Sequence, residues 1–206
     1  NVDEDDSVES YTGKIFESAM ASLDQVHHSL DMSAINRAVD LLTQAKKIAF
    51  FGLGSSAAVA HDAMNKFFRF NVPVIYSDDI VLQRMSCMNC NDDDVVVIIS
   101  HTGRTKSLVE LAQLARENDA MVIAITSPGT PLSREATLAI TLDVPEDTDI
   151  YMPMVSRLAQ LTVIDVLATG FTLRRGAKFR DNLKRVKEAL KESRFDKELS
   201  VHSNNQ

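Results

Sequence analysis

Apolar residues recur along the chain at two different spacings, and each spacing predicts a type of element. Five short runs are apolar without alternation, which is typical of strands covered on both faces of a parallel sheet. They span 48–53, 72–76, 95–99, 121–125 and 138–142. Segments with apolar residues every three or four positions lie between them and predict helices over 57–70, 80–88, 106–117 and a short stretch near Ser133. The chain is therefore expected to form an α/β fold, a doubly wound five-stranded parallel sheet with flanking helices.

Helical patterns also precede and follow this alternation. A helix is predicted from Thr12 to Leu30, with a buried face formed by Ile15, Phe16, Ala19, Met20, Leu23, Val26 and Leu30. Ser33 is the expected N-cap of a second helix over 34–45. Two further helices are predicted at about 153–169 and 178–191. The last one carries a narrow apolar stripe that packs either on its own domain or on another subunit, and consists of Phe179, Leu183, Val186 and Leu190.

The chain begins with Asn1 and a short acidic stretch, which suggests that it was cut from a longer one. The domain organisation expected from the patterns has five parts. They are an acidic lead-in at 1–10, an N-terminal helical arm at 11–45, the domain core at 46–176, a C-terminal helix at 177–193 and a polar tail at 194–206.

Composition narrows the classes of function. The 206 residues are 45% hydrophobic and 25% charged, as in a soluble globular domain. With 29 acidic and 22 basic residues, the formal charge of -7 opposes direct binding of nucleic acid. The apolar runs are far shorter than the roughly 20 residues of a membrane span, and no signal segment opens the chain. A cytoplasmic protein without a membrane partner is expected.

Several titratable side chains lie outside any obvious site. Cys87 and Cys90 have the C-x-x-C spacing of zinc and redox sites, but no second pair completes a zinc site. Buried thiols are the favoured interpretation, and redox activity stays open. His27 and His28 have no evident carboxylate partner in the sequence.

Small and hydroxyl-bearing residues follow the first and third predicted strands, each time just before a helix. The first group is Gly-Leu-Gly-Ser-Ser-Ala at 52–57, and the second is Ser-His-Thr-Gly-Arg-Thr at 100–105. Ligands of open parallel sheets bind beyond the carboxyl ends of the strands, and free N–H groups at a helix N-terminus attract anions. The loops therefore predict a phosphate site without cofactor or metal. Its candidate residues are Gly54, Ser55, Ser56, Ser100, His101, Thr102, Gly103 and Thr105.

Helix capping is the plainer explanation of such loops, because Ser and Thr are common N-caps. A single Ser-Ser pair after a strand needs no other explanation. Ser100, Thr102 and Thr105 are, however, more hydroxyls within six residues than one cap uses. The second loop therefore favours a ligand.

A dinucleotide site is another alternative. Gly52, Gly54 and Ala57 match the spacing of the glycine-rich fingerprint, and Asp78 and Asp79 follow the second strand, where a ribose-binding carboxylate lies in such sites. An oxidoreductase that binds a nicotinamide or flavin would use the first loop. It would leave the hydroxyl cluster after the third strand without a role.

Gly-Leu-Gly-Ser-Ser at 52–56 and Ser-His-Thr-Gly-Arg-Thr-Lys-Ser at 100–107 resemble the two signatures of the sugar isomerase (SIS) domain, which has a flavodoxin-like three-layer fold. The segments at 12–15 and 38–42 are similar to the effector half of RpiR-type transcription regulators, especially the HexR-type repressors of hexose metabolism. In that family an N-terminal helix-turn-helix domain, absent from this sequence, binds DNA, and the SIS domain binds a phosphorylated sugar.

The resemblance also implies roles for individual residues. Ser100, Thr102 and Thr105 would cradle the phosphate, while Ser55 and Ser56 would reach the phosphate or the sugar hydroxyls. The implied effector is 2-keto-3-deoxy-6-phosphogluconate, and the implied assembly is a homodimer. The cation that meets the effector carboxylate is left open among Arg104, Lys106, Lys66 and Arg157.

Some SIS proteins are isomerases or lyases, so an enzyme is the alternative to a sensor. Isomerisation needs a carboxylate or imidazole beside the sugar carbons, and Glu110, His101 and Glu146 are the candidates. The helical lead-in favours the sensor. In that case, the hypothesis is that the loop at 100–105 closes on the phosphate and tilts the helices that carry the DNA-binding domain.

Overall fold

The computed structural model describes residues 2–146, 155–191 and 193. Its elements are, in chain order, α1 (Val8–Ser29), α2 (Met32–Gln44), β1 (Lys47–Phe51), α3 (Ser55–Phe68), β2 (Val74–Ser77), α4 (Ile80–Met88), β3 (Asp94–Ser100), α5 (Lys106–Glu117), β4 (Met121–Thr126), α6 (Pro131–Glu135), β5 (Leu138–Thr141) and α7 (Val155–Lys191). None of the described helices is long and apolar enough to cross a membrane.

The five strands form one parallel sheet in the order β2-β1-β3-β4-β5, which confirms the predicted doubly wound fold. Alternate side chains of each strand enter two separate cores. In β3, for example, Val97 and Ile99 belong to one core, and Val96 and Ile98 to the other. Because both faces are covered, every residue of β3 is buried. This double burial is why the strands read as continuous apolar runs rather than as an alternating pattern.

The helices divide into two layers. Residues of α2, α3 and α7 join one core, and α1 packs against α7 on that side. Residues of α4, α5 and α6 join the other core. The helices that follow β1 and β3 therefore cover opposite faces of the sheet.

The second helix begins earlier than predicted. Asp31 is its N-cap, and the Asp31 carboxylate accepts a hydrogen bond from the Ser33 N–H at 2.9 Å. The prediction that Ser33 caps the helix is wrong, because a carboxylate one residue before the helix fills that role. Ala38 and Leu42 are fully buried, so α2 is part of the layer that covers the sheet.

The predicted buried face of the first helix is largely exposed. Only Ser22 and Val26 of α1 are buried, while Phe16 is 66% and Met20 61% exposed. The apolar spacing is real, but only the C-terminal part of α1 is covered by its own chain. The expectation of a buried face is therefore wrong for the N-terminal part.

The prediction of two separate C-terminal helices is confirmed. The segment α7 runs from Val155 to Lys191, but it consists of two helices that meet at Gly176, where the backbone is non-helical with φ 82° and ψ -170°. Its buried residues end at Phe171, and Phe179 and Leu183 lie half-buried against the first core. The predicted start at 153–154 and the predicted polar tail at 194–206 lie outside the described residues.

Candidate functional site

The two hydroxyl-rich loops lie at the point where the order of the strands reverses. β1 and β3 are neighbours, with Phe51 opposite Ile98. From β1 the chain passes to α3 on one face, and from β3 it passes to α5 on the other. A crevice opens at such a reversal, and it is the usual place for a ligand in open α/β sheets. The fold thus sets residues 52–56 beside residues 100–105.

The first loop brings the backbone of α3 close to the end of β1. A Cβ at Gly52 would lie 2.7 Å from the carbonyl oxygen of Ser56, so no side chain fits there. Gly54 has φ +59°, a conformation that favours glycine, and stands at the N-cap position. Ser55 is half-buried and Ser56 is buried in the first turn of α3.

The second loop is shaped by its own hydroxyls. The Ser100 hydroxyl accepts a hydrogen bond from the Gly103 N–H at 3.1 Å, and the Thr102 hydroxyl accepts one from the Arg104 N–H at 3.4 Å. Ser100 is buried, whereas Thr102 and Thr105 are exposed. A hydroxyl that accepts from the backbone still has its proton to donate to an anion.

The second loop is also fixed to the next strand and helix. The His101 carbonyl accepts from the Ser127 N–H at 3.1 Å, and the Gly103 carbonyl accepts from the Leu132 N–H at 3.0 Å. Gly103 has φ +57°, and a Cβ there would lie 2.3 Å from the hydroxyl oxygen of Thr130. These contacts hold the loop as a formed turn.

The two helices that follow the loops, α3 and α5, differ from other helices of the chain in how their N-termini are capped. In α1, α2, α4 and α6 the N-cap side chain accepts a hydrogen bond from the first turn; these caps are Ser7, Asp31, Asp79 and Thr130. The N-cap of α3 is Gly54 and that of α5 is Thr105, and neither makes a side-chain capping hydrogen bond. The explanation of the loops as capping chemistry therefore fails for both helices, whose positive ends stay available to an anion.

A contact between the His101 and Glu146 side chains connects the second loop to α7. Nε2 of His101 lies 3.9 Å from Oε2 of Glu146, and both side chains are mostly buried. Oε1 of Glu146 accepts a hydrogen bond from the Val155 N–H at 2.8 Å and a longer one from the Ser156 N–H at 3.5 Å. Glu146 therefore serves the N-terminus of α7, where a negative charge is favourable.

A residue that sequence reasoning did not identify supports the first loop. Gln83 of α4 is fully buried, and its amide nitrogen donates to the carbonyls of Gly52 at 3.1 Å and Ser77 at 2.8 Å. Its two hydrogen bonds connect the residue after β1 to the last residue of β2. A polar residue on the buried face of a predicted helix was the available signal.

The candidate cations differ in their positions. Arg104 and Lys106 are exposed beside the second loop, and Arg157 is exposed in the first turn of α7. Lys66 pairs with Asp165 at 2.8 Å and lies eleven residues along α3 from Ser55, or about 16 Å. Because Lys66 is paired and distant, it is not a candidate for binding an effector carboxylate at the loops.

Two other acidic candidates are occupied elsewhere. Glu110 forms an ion pair with Arg84 at 3.5 Å, between α5 and α4. The Asp79 carboxylate caps α4 by accepting from the N–H groups of Val81 and Leu82. Asp79 is thus engaged at the position where a dinucleotide site would need a free carboxylate.

Cys87 and Cys90 are both free and buried, as the favoured interpretation expects. The Cys90 thiol donates to the Cys87 carbonyl at 2.9 Å. Burial raises the pKa of the Cys87 thiol to about 12 and also raises the pKa of Cys90. Since the thiolate is the reactive form, both groups are inert near neutral pH.

The expectation that His27 and His28 lack a carboxylate partner is wrong for His28. Nδ1 of His28 lies 3.4 Å from the Asp24 carboxylate, one helical turn away. Asp24, His27 and His28 place one ligand atom each within 4.8 Å of one another and are all exposed. Within the described part of the chain, this surface cluster at the end of α1 is the group with the residue types to hold a metal ion.

The sequence profile of the SIS domain matches residues 41–170, which include both loops and the whole sheet. The chain belongs to the SIS domain family. The match confirms the resemblance carried by residues 52–56 and 100–107.

Two relatives place this SIS domain among transcriptional regulators. The chain is 93% identical over 199 residues to the HTH-type transcriptional regulator HexR of Escherichia coli K12. This match covers 97% of this chain and 69% of the relative. The chain is also 56% identical over 194 residues to the HTH-type transcriptional regulator HexR of Pseudomonas aeruginosa, a match that covers 94% of this chain and 68% of the relative. The chain is of the HexR type, a regulator of carbohydrate metabolism. This confirms the prediction of a regulator rather than an enzyme.

Solved structures share the fold of this SIS domain. The Vibrio vulnificus NanR protein complexed with ManNAc-6P has a TM-score of 0.82 at 23% identity, and the match covers 92% of this chain and 72% of that one. The sugar isomerase domain of an RpiR transcription factor from Sphaerobacter thermophilus has a TM-score of 0.76 at 18% identity. This match covers 86% of this chain and 98% of that one. Both confirm the three-layer architecture.

Proposed function

We propose that this chain is the effector-sensing domain of a transcription regulator and binds a phosphorylated sugar or sugar acid between the two loops. The observation that carries the proposal is the pair of uncapped helix N-termini at neighbouring strand ends. Gly54 is the N-cap of α3 and Thr105 that of α5, each without a side-chain capping hydrogen bond. Two such positive ends suit a phosphate dianion better than one.

The residues around the two helix ends complete a phosphate site. Ser100, Thr102 and Thr105 offer hydroxyl donors from the second loop, and Ser55 and Ser56 offer donors from the first. Each hydrogen bond to a charged group contributes about 1.5 to 3 kcal/mol. Three or four of them, less the cost of ordering the ligand, correspond to roughly micromolar affinity.

The favoured effector is 2-keto-3-deoxy-6-phosphogluconate, which carries a carboxylate in addition to the phosphate. The HexR type of the chain supports this choice. Arg104, Lys106 and Arg157 are the exposed cations near the loops that can meet the carboxylate. A related fold that holds an N-acetylmannosamine phosphate supports a sugar phosphate as the ligand class.

Effector binding would control DNA binding by a separate helix-turn-helix domain, as the names of the HexR relatives indicate. Because residues 101 and 103 are hydrogen-bonded to Ser127, which follows β4, and to Leu132 of α6, the second loop does not need to close as a lid. His101 instead offers a path to α7 through Glu146. A ligand that changes this pair would bias the position of α7.

Alanine variants of two hydroxyl residues test the site. Ser56→Ala and Thr105→Ala should each weaken binding of 2-keto-3-deoxy-6-phosphogluconate about tenfold or more in isothermal titration calorimetry. Ser86→Ala on α4 is the matched control, because it removes a half-buried hydroxyl outside the crevice and should leave the Kd unchanged. An unchanged Kd in both site variants would refute the assignment. Conversion of the sugar phosphate to an isomer would refute a pure sensor.

A further inference from the structure

The C-terminal end of α1 carries three side chains of metal-ligand type on one side of the helix. Asp24 precedes His27 by three residues and His28 by four. At 100° per residue, the direction of the aspartate therefore falls between those of the two histidines, one turn earlier along the helix. One ligand atom from each residue lies within 4.8 Å of the other two. All three side chains are exposed, so ions in solution reach them.

The separation of two of these ligand atoms already suits a shared metal ion. Nδ1 of His28 lies 3.4 Å from Oδ1 of Asp24. In a tetrahedral site with metal–ligand bonds of about 2.0–2.1 Å, two ligand atoms are about 3.4 Å apart. The His27 ring lies beside this pair, with its centroid 5.2 Å from that of the His28 ring. A small rotation of His27 is thus the main adjustment that a three-ligand site needs.

A second contact fixes the orientation of the His28 ring. Its Nδ1 also lies 2.8 Å from the backbone carbonyl oxygen of Asp24. Because Nδ1 faces two oxygen atoms, a proton on this nitrogen satisfies both of them. A neutral imidazole can hold its proton on Nε2 instead, which leaves the Nδ1 lone pair for a metal ion. A divalent ion can then take the place of the proton between the ring and the carboxylate.

The Asp24 carboxylate is not engaged by a lysine or an arginine. Within the described residues, its ion-pair partner is His28. The surrounding segment is acidic, since residues 2–29 contain seven acidic side chains and one lysine, and that lysine pairs with two of the acids. This negative charge attracts a cation, and so does the negative end of the helix dipole at the last turn of α1.

The ligand types select the class of metal. Imidazole nitrogen suits zinc and neighbouring transition metals, whereas Ca²⁺ takes about six to eight oxygen ligands. Two imidazoles and one carboxylate form the protein part of zinc sites in which water is the fourth ligand. The thiols of Cys87 and Cys90 are buried in the other core and take no part in this set.

We propose that Asp24, His27 and His28 form a zinc-binding site on the surface of α1, with water as the fourth ligand. The site lies on one helical turn, so its ligands are brought together by helix formation itself. No residue of the two phosphate loops belongs to it. Zinc binding is therefore independent of the effector site.

Bound zinc would stabilise the part of α1 that is attached to the domain. Val26, between the ligands, is buried in the first core, and its carbonyl accepts a hydrogen bond from the Leu30 N–H at 2.9 Å. The Gln25 amide donates to the carbonyl of Asp143 at 3.0 Å. An ion that links residue 24 to residues 27 and 28 opposes fraying of this turn, because it binds only the helical arrangement.

Calorimetric titration of the chain with Zn²⁺ tests the site. The wild type should bind one equivalent, and His28→Ala and Asp24→Asn should each weaken binding at least about tenfold, since each removes a ligand. His61→Ala is the matched control, because it removes an exposed helical histidine of α3 and should leave the Kd unchanged. Equal effects of His28→Ala and His61→Ala, or no zinc binding at millimolar concentration, would refute the proposal.

Amide hydrogen exchange locates the ion. Zinc at saturation should slow exchange at residues 28–30 of the wild type, whose N–H groups belong to the turn that the ion closes. Mg²⁺ at the same concentration should have no effect, because it prefers oxygen ligands. In Asp24→Asn, which keeps the shape of the side chain, zinc should no longer slow exchange there. The same slowing in Asp24→Asn as in the wild type would overturn the assignment.

Discussion

Nε2 of His101 lies 3.9 Å from Oε2 of Glu146, whose other oxygen accepts a hydrogen bond from the Val155 N–H at 2.8 Å. A residue of the proposed phosphate loop is therefore connected through one side chain, that of Glu146, to the first turn of α7. α7 packs against α1, α2 and α3. A change at His101 can thus reach the helices that pack against α7.

Replacing His101 by alanine should separate ligand binding from the response of α7. With saturating 2-keto-3-deoxy-6-phosphogluconate, the wild type should change its amide hydrogen exchange at 155–160, because the ligand alters the His101–Glu146 pair. In His101→Ala the exchange of this segment should not respond to ligand. His61→Ala, which removes a ring that contacts Tyr76 outside the crevice, should respond as the wild type does. A full ligand response in His101→Ala would show that the signal takes another route.

A methyl group at Gly103 should destabilise the fold. The backbone has φ +57°, which costs a non-glycine residue about 1–2 kcal/mol, and the Cβ would lie 2.3 Å from the Thr130 hydroxyl. With the cost of overpacking, Gly103→Ala should lower the free energy of unfolding by about 2 kcal/mol or more in urea titration.

The matched control for this experiment is Gly13→Ala. Gly13 lies in α1, where a Cβ meets nothing within 4 Å, so the change should be neutral or stabilise by up to about 1 kcal/mol. Equal unfolding free energies for the two variants would mean that the turn at Gly103 is not as tightly packed as described.

The two thiols should resist modification in the folded chain. Burial raises the pKa of Cys87 to about 12 and also raises that of Cys90, so very little thiolate exists at pH 8. An aromatic disulfide reagent should therefore label the native chain far more slowly than the urea-unfolded chain, in which both thiols react. Rapid labelling of the native protein at pH 8 would instead indicate an exposed, activated thiol.

The sheet could be predicted because helices cover both of its faces, so each strand is a short apolar run. The helices Ile80–Met88 and Lys106–Glu117 have the bounds that their spacing predicts. The site loops could be found for a related reason. Ser100, Thr102 and Thr105 are more hydroxyls within six residues than one helix cap uses, and the ends of neighbouring parallel strands meet at one edge of the sheet.

Other features depend on contacts that no local pattern contains. The spacing of Phe16 and Met20 predicts an apolar face, but it does not reveal whether the surface that covers it belongs to the same chain. The role of Gln83 is set by carbonyls at Gly52 and Ser77, which are distant in sequence.

The most direct test of the account is a calorimetric titration of the chain with 2-keto-3-deoxy-6-phosphogluconate and, separately, with its dephosphorylated form. Because the site is proposed to recognise the phosphate through two uncapped helix N-termini, the phosphorylated compound should bind with a roughly micromolar Kd. The dephosphorylated form should bind at least about a hundredfold more weakly. Equal affinities for the two compounds, or no binding of either at millimolar concentration, would contradict the central claim.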